Sequence, residues 1–143
     1  MLCVDVNILV HAFVRASPSH EACATFLRSA LDERQALALP LMTLSGFWRI
    51  VTSRVIFPTP SSPDLATDFT DWLMAHPRTL IPSSDQAIYE LSRDLVREHG
   101  LSGSDVPDAV LAATALSLGA TLVTADRGFR RFGALRVLDP TSI

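Results

Sequence analysis

The chain contains no lysine; all twelve of its basic residues other than histidine are arginine. Chemistry that needs a primary-amine side chain is thereby excluded. A P-loop sets its lysine against the bound phosphates, and a Schiff-base enzyme uses an amine nucleophile. A phospho-acceptor receiver domain, another small α/β fold with acids at strand ends, relies on a late lysine. Here the third expected strand also ends at Pro82 without an acid. Cysteine is scarce too. Cys3 and Cys23 form no C-x-x-C or zinc-ligand spacing, so both read as buried, inert thiols. The four histidines, at 11, 20, 76 and 99, lack metal-ligand spacing as well. No apolar run approaches the roughly 18 residues of a membrane span. The amino terminus has no basic segment, and Asp5 precedes any long apolar run, which argues against a signal peptide. A soluble, cytoplasmic protein without a membrane partner is expected.

What is present points to a globular α/β chain. Of 143 residues, 48% are hydrophobic and 19% charged, enough apolar surface for one domain spanning 1–143 with a substantial core. The net charge of −3 provides no global basic field. A nucleic-acid partner would have to be held by a local arginine patch or through metal ions.

Strand and helix signals alternate along the chain. Leu2 to Asp5 reads as a buried strand followed by a short helix over 7–14. Ser17-Pro18 should open the next helix, to about Glu33, because Pro suits a first turn. Ala36 to Pro40 reads as the second strand. Thr43 should cap a helix with the apolar stripe Leu44, Phe47, Trp48, Val51 and Val55. After a Pro/Ser-rich loop, Ser62 should cap a helix that buries Leu65, Phe69, Trp72 and Leu73. A third strand, Arg78 to Pro82, precedes a helix capped by Ser83 or Ser84 and stopped at Gly100. Ser104 should cap a helix using Val106, Val110, Ala113 and Leu116, closed by Gly119. Strands at 120–124 and 135–138 complete the chain. This order predicts a parallel sheet covered by helices on both faces.

The acids are eleven Asp and only four Glu. Asp64, Asp85 and Asp105 fall in first turns of expected helices, where a carboxylate favours the dipole by about 0.3–1 kcal/mol. Three others stand apart. Asp5 ends the first strand, Asp126 follows the fourth, and Asp108 opens an otherwise apolar helix, Val106 to Ala113. Ligands of open parallel sheets sit beyond the carboxyl ends of the strands. Three carboxylates around one such crevice repel each other unless a cation neutralises them. Hard oxygen donors without Cys or His favour Mg²⁺ or Mn²⁺, whose activated water can attack a phosphodiester. Asp105, one turn before Asp108, is either a further ligand, an outer-shell acid or a dipole-stabilising residue. Asn7 and Thr124 flank the same crevice, either to hold a water or phosphate oxygen or to cap turns.

These residues carry a resemblance. Val4-Asp5-Val6-Asn7, Asp108 to Ala113, Thr124-Ala125-Asp126-Arg127-Gly128-Phe129 and the ending Phe132 to Pro140 resemble the PIN-domain ribonucleases of the VapC toxin family, in order and across nearly the whole chain. The resemblance implies a three-layer α/β/α fold with a central sheet of four to five strands. It also implies Mg²⁺-dependent endonucleolytic cleavage of RNA, inhibition by a cognate antitoxin, and homodimers. Asp5 and Asp108 would be principal metal ligands, with Asp126 completing the catalytic cluster.

Two departures stand out. Gly46-Phe47-Trp48-Arg49 occupies a stretch where the family often carries Glu-x-x-Arg, so the acid is missing while Arg49 remains. Gly128 likewise stands where an acid is often found. Arg49 is a candidate contact for an RNA phosphate or an acidic antitoxin group, as are Arg127, Arg130 and Arg131. The missing Glu keeps a second reading open: a non-catalytic PIN scaffold that binds RNA or a protein partner.

Overall fold

The computed structural model describes residues 1–33 and 35–142. Among them are five strands, each two or three residues long: β1 (Leu2–Val4), β2 (Leu37–Ala38), β3 (Thr79–Leu80), β4 (Thr121–Val123) and β5 (Val137–Leu138). All pair in parallel in the order β3-β2-β1-β4-β5. Side chains alternate across the sheet. Val4, Leu37, Leu39 and Val123 enter one core, and Cys3, Ala38 and Leu122 enter the other. Burial on both faces is why the central strand β1 is continuously apolar in sequence.

The helices are α1 (Val6–Phe13), α2 (His20–Asp32), α3 (Leu41–Val51), α4 (Pro63–Met74), α5 (Gln86–Glu98) and α6 (Val106–Ser117). The first four contribute to the core on one face, and α5 and α6 to the core on the other. The expected three-layer α/β/α arrangement is therefore observed. From β1 the chain steps outward to β2 and β3, then crosses to the far side of β1 to form β4 and β5. The helices change face at that crossing, as connections of one hand require. The reversal leaves a crevice between the carboxyl ends of β1 and β4, the place where open sheets bind ligands.

Several boundaries differ from the expectation for identifiable reasons. Helix α2 opens at His20, not at Ser17-Pro18. Ser17 Oγ shares a 2.8 Å hydrogen bond with His11 Nδ1 and accepts one from Ser19 N–H, closing a turn ahead of the helix. Pro40, not Thr43, precedes α3. Thr43 is buried, and its hydroxyl donates to the Val4 carbonyl at 3.2 Å, tying α3 to the end of β1. Helix α3 ends at Val51, so Val55 lies outside the stripe at 96% exposure. On α4 the buried positions are Ala66, Thr70 and Leu73, while Leu65 and Trp72 are exposed. Trp72 instead lies 5.9 Å from the Phe69 ring, over the margin of the core. Ser62 does cap α4. Asp85, rather than Ser83 or Ser84, caps α5 through Ile88 N–H at 3.1 Å. Ser104 lies in a 3-10 turn, Gly103–Asp105, that runs into α6. Gly100 and Gly119 close α5 and α6 with φ of +58° and +57°, a conformation that a β-carbon disfavours.

Candidate active site

Asp5 is positioned by three local circumstances. Its N–H still donates to the Val123 carbonyl, so it stays on the ladder to β4 just beyond β1. It is also the N-cap of α1, with Oδ1 accepting from Val6 N–H at 2.6 Å. Its Oδ2 accepts from Thr124 Oγ1 at 2.6 Å and from Asn7 Nδ2 at 2.7 Å. Asn7 then bridges to the loop after β4, donating to Thr124 Oγ1 and accepting from Ala125 N–H at 3.2 Å. Thr124 Oγ1 in turn accepts from Asp126 N–H at 3.0 Å. Asp5 is 6% exposed and Thr124 1%. Burial is the main influence raising the Asp5 pKa; the bonds from Thr124 and Val6 oppose it, and the charges of Asp108 and Asp126 add to it. A neutral hydrogen-bond shell thus fixes this carboxylate without neutralising it.

Asp126 heads a 3-10 turn, Arg127–Arg131, and its Oδ1 accepts from Gly128 N–H at 2.7 Å. A β-carbon at 128 would stand 3.0 Å from that oxygen, so glycine permits the close approach. Asp108 sits in the first turn of α6. Its Oδ2 accepts from Arg131 Nη2 at 2.5 Å, and Arg131 Nη1 reaches Asp105 Oδ2 at 3.2 Å. Burial raises the Asp108 pKa, Arg131 opposes that rise, and Asp126 reinforces it. Asp5, Asp108 and Asp126 therefore stand close enough to share one electrostatic field.

The other candidates fall elsewhere or act indirectly. Asn7 and Thr124 use their side chains on Asp5. Arg49 is exposed in the last turn of α3, and among the described residues no hydrogen bond or ion pair holds its guanidinium. Gly46 faces α1, where an added β-carbon would make an ordinary 3.4 Å contact with Val6. Both cysteines are free and buried; burial pushes the Cys3 thiol to about 12 and that of Cys23 to about 11, which removes thiolate chemistry. The Arg131 bridge to Asp105 and Asp108 was not legible in the sequence, where it joins segments more than twenty residues apart with no local pattern.

The donor set suits a hard divalent cation in its chemistry. Every candidate is oxygen, and Asp5 and Asp108 are pushed toward protonation by burial and by neighbouring carboxylates. Among the described residues no group of three or more Asp, Glu, His or Cys side chains is arranged as a metal cage. Asp5, Asp108 and Asp126, expected to share one cation, are therefore not drawn into a three-carboxylate group among the described residues, so any Mg²⁺ would be held by one or two of them with waters and phosphate oxygens. Asp5 with Asp108 or Asp126 would be such a pair.

A parallel sheet between two helical layers, with the buried Asp5 carboxylate at its switch point, defines the class: a three-layer α/β/α protein of PIN-like build. The PIN domain model matches residues 2–135, and the chain belongs to that family. Its curated relatives lie in the VapC branch. Ribonuclease VapC43 of Mycobacterium tuberculosis is 39% identical over 98% of this chain and 95% of its own length. Ribonuclease VapC25 of the same organism is 32% identical over 98% and 99%. The fold is shared with solved structures of lower identity. VapBC2 from Rickettsia felis, bound to a DNA fragment from its promoter, has a TM-score of 0.70 at 18% identity, covering 96% of this chain and 97% of that one. VapC20 of Mycobacterium tuberculosis, a Sarcin-Ricin loop cleaving toxin, has a TM-score of 0.68 at 15% identity, covering 93% and 95%.

Proposed function

We propose that this protein is a metal-dependent endoribonuclease of the VapC kind, the toxin of a type II toxin–antitoxin pair. What supports this reading most is the buried Asp5 carboxylate at the end of β1 beside β4, within reach of the charges of Asp108 and Asp126. The 39% identity to a named VapC ribonuclease over nearly the full length supports it. Asp5 and Asp108 serve as principal ligands of Mg²⁺, with Mn²⁺ a workable substitute, and Asp126 completes the catalytic cluster. A divalent cation there would neutralise charge on the cleaved phosphate and acidify a water. The chain itself supplies orientation. Thr124, Asn7 and Val6 N–H stop the Asp5 carboxylate from rotating; Thr124, expected to touch substrate, is buried and acts only through Asp5, while Asn7 borders the substrate approach. Arg49, exposed on α3, is assigned to an RNA phosphate.

RNA is the substrate and a small cognate antitoxin the protein partner; the toxin acts in the cytoplasm, as a homodimer, with its 143 residues forming one domain. A groove of about 660 Å³ between α1, α2 and α4 lies away from the acids. Phe13, Leu27, Phe69 and Trp72 line it, with Arg15 and Arg28 alongside. With His20 and Glu21 also on its walls, it would meet both the apolar and the charged face of an amphipathic antitoxin helix.

The test is cleavage of RNA by the purified protein with and without Mg²⁺. Asp5→Asn and Asp108→Asn should each lower it by about a thousandfold. The second reading, a PIN scaffold without catalysis, is favoured by Gly46 in place of the usual acid. Absence of cleavage on every RNA tried, with antitoxin still bound, would establish that reading instead.

A further inference from the structure

The guanidinium of Arg131 occupies one carboxylate of the proposed cation site. Its Nη2 and Nη1 bridge Asp108 and Asp105 at 2.5 and 3.2 Å. Gly128 provides the room: a β-carbon there would come within 3.5 Å of Arg131 Nη2 and 3.0 Å of Asp126 Oδ1. The same spot therefore borders two arms of the acidic site. Arg131 also packs its guanidinium carbon 5.4 Å from the Phe132 ring centroid. Its Nε is buried with no hydrogen-bond partner among the described residues. A guanidinium normally satisfies its five donors, so one buried and unsatisfied donor marks a conformation held by the two carboxylates rather than by a complete hydrogen-bond shell.

We propose that Arg131 is an internal gate on the cation site: its side chain takes the Asp108 carboxylate in the resting protein and must leave before a divalent cation can use that oxygen. Arg131 is a positioning residue acting through Asp108, and Asp105 is the second anchor that keeps it in place. Divalent-cation affinity is then set by competition with an intramolecular ion pair. Binding displaces Arg131 from Asp108. This rests on the divalent-cation reading of the site given above.

Calorimetric titration with Mn²⁺, without RNA, tests the gate. Arg131→Gln should bind Mn²⁺ about tenfold more tightly than the unaltered protein, as loss of a competing, partly buried ion pair implies. Arg131→Lys, which keeps a cation in reach, should stay within about threefold of the original affinity. A merely structural role for Arg131 predicts the opposite, weaker binding as Asp108 loses its support. Equal or weaker binding by Arg131→Gln, with Mn²⁺ still bound by the unaltered protein, overturns the gate alone. No binding by either protein overturns the gate together with the metal reading. Should Arg131→Gln not fold, the unaltered protein carries the test through its arginine Nε–Hε resonances, assigned by comparison with Arg131→Lys. The Arg131 signal should shift on Mg²⁺ addition, and an unmoved signal at saturating Mg²⁺ overturns the gate.

Discussion

The two principal carboxylates of the site are held in opposite ways. Asp5 is buried and surrounded by neutral donors: a backbone N–H, an amide and a hydroxyl. Asp108 is only partly buried and is held by a charge, the guanidinium of Arg131. Neutral donors fix a carboxylate yet leave its charge available, whereas a paired cation fixes it by consuming that charge. On the proposed reading, the Asp5 arm would be preorganised for a cation, whereas the Asp108 arm would have to be released. The difference originates in the fold. Asp5 stands between β1 and β4 at the centre of the sheet, where backbone and short polar side chains are near at hand. Asp108 stands in the first turn of α6, facing a turn rich in arginine.

The largest expected effects separate the arms. Asp5→Asn should abolish Mn²⁺ binding along with cleavage, because an amide cannot serve all three donors and carries no charge. Asp108→Asn should abolish cleavage while retaining weak binding at Asp5. Equal loss of binding in both variants, measured calorimetrically, would break the distinction. Next comes Thr124→Val, which removes one donor from Asp5 and orphans Asp126 N–H. Outer-shell losses of this kind typically weaken metal affinity by about 10–100-fold, and Thr124→Ser, keeping the hydroxyl, should restore most of it.

The pH dependence of the metal-free protein offers a smaller effect with a definite sign. Burial raises the Asp5 pKa above its ordinary 3.8 in the folded state. The ionised carboxylate therefore opposes folding; the penalty is complete above the raised folded value and absent below the ordinary one. Asp108 acts in the same direction. Unfolding free energy should accordingly rise as pH falls from neutral toward the ordinary carboxylate range, and Asp5→Asn should flatten that rise. Chemical denaturation at several pH values without divalent ions measures it. The smallest effect is expected for Gly128→Ala. Its β-carbon would stand 3.0 Å from Asp126 Oδ1, and the shift it forces should cost about 1–3 kcal/mol, read as a lower melting temperature.

Much of the fold was legible because each element's period matches its environment. Leu2 to Val4 is an apolar run and 120–124 a mainly apolar, β-branched one, and they form the paired central strands. Ser62-Pro63 carries both a cap and a first-turn proline, and the helix begins there. Reading failed where a residue had a better tertiary use. Thr43 looks like a cap but donates to the end of β1, and Ser17 looks like a helix start but partners His11. Trp72 and Leu65 share the helical spacing of the core, but the buried face of α4, Ala66, Thr70 and Leu73, lies one position round the helix, so both remain exposed.

The site divides in the same way. Composition alone excluded amine, thiol and histidine–metal chemistry, because those groups are absent or wrongly spaced. The apolar runs ending at Asp5 and before Asp126 indicated carboxylates at strand ends, since hydrophobic periodicity fixes where a strand stops. What only the tertiary structure decided is the company each carboxylate keeps. Strand order places β1 beside β4, so Thr124, 119 residues distant in sequence, becomes a donor to Asp5. The turn after Asp126 carries Arg131 back across 23 residues to Asp108. Periodicity reports which side of an element faces the core. Which two elements meet is set by packing the whole chain, and the charge state of this site depends on that meeting.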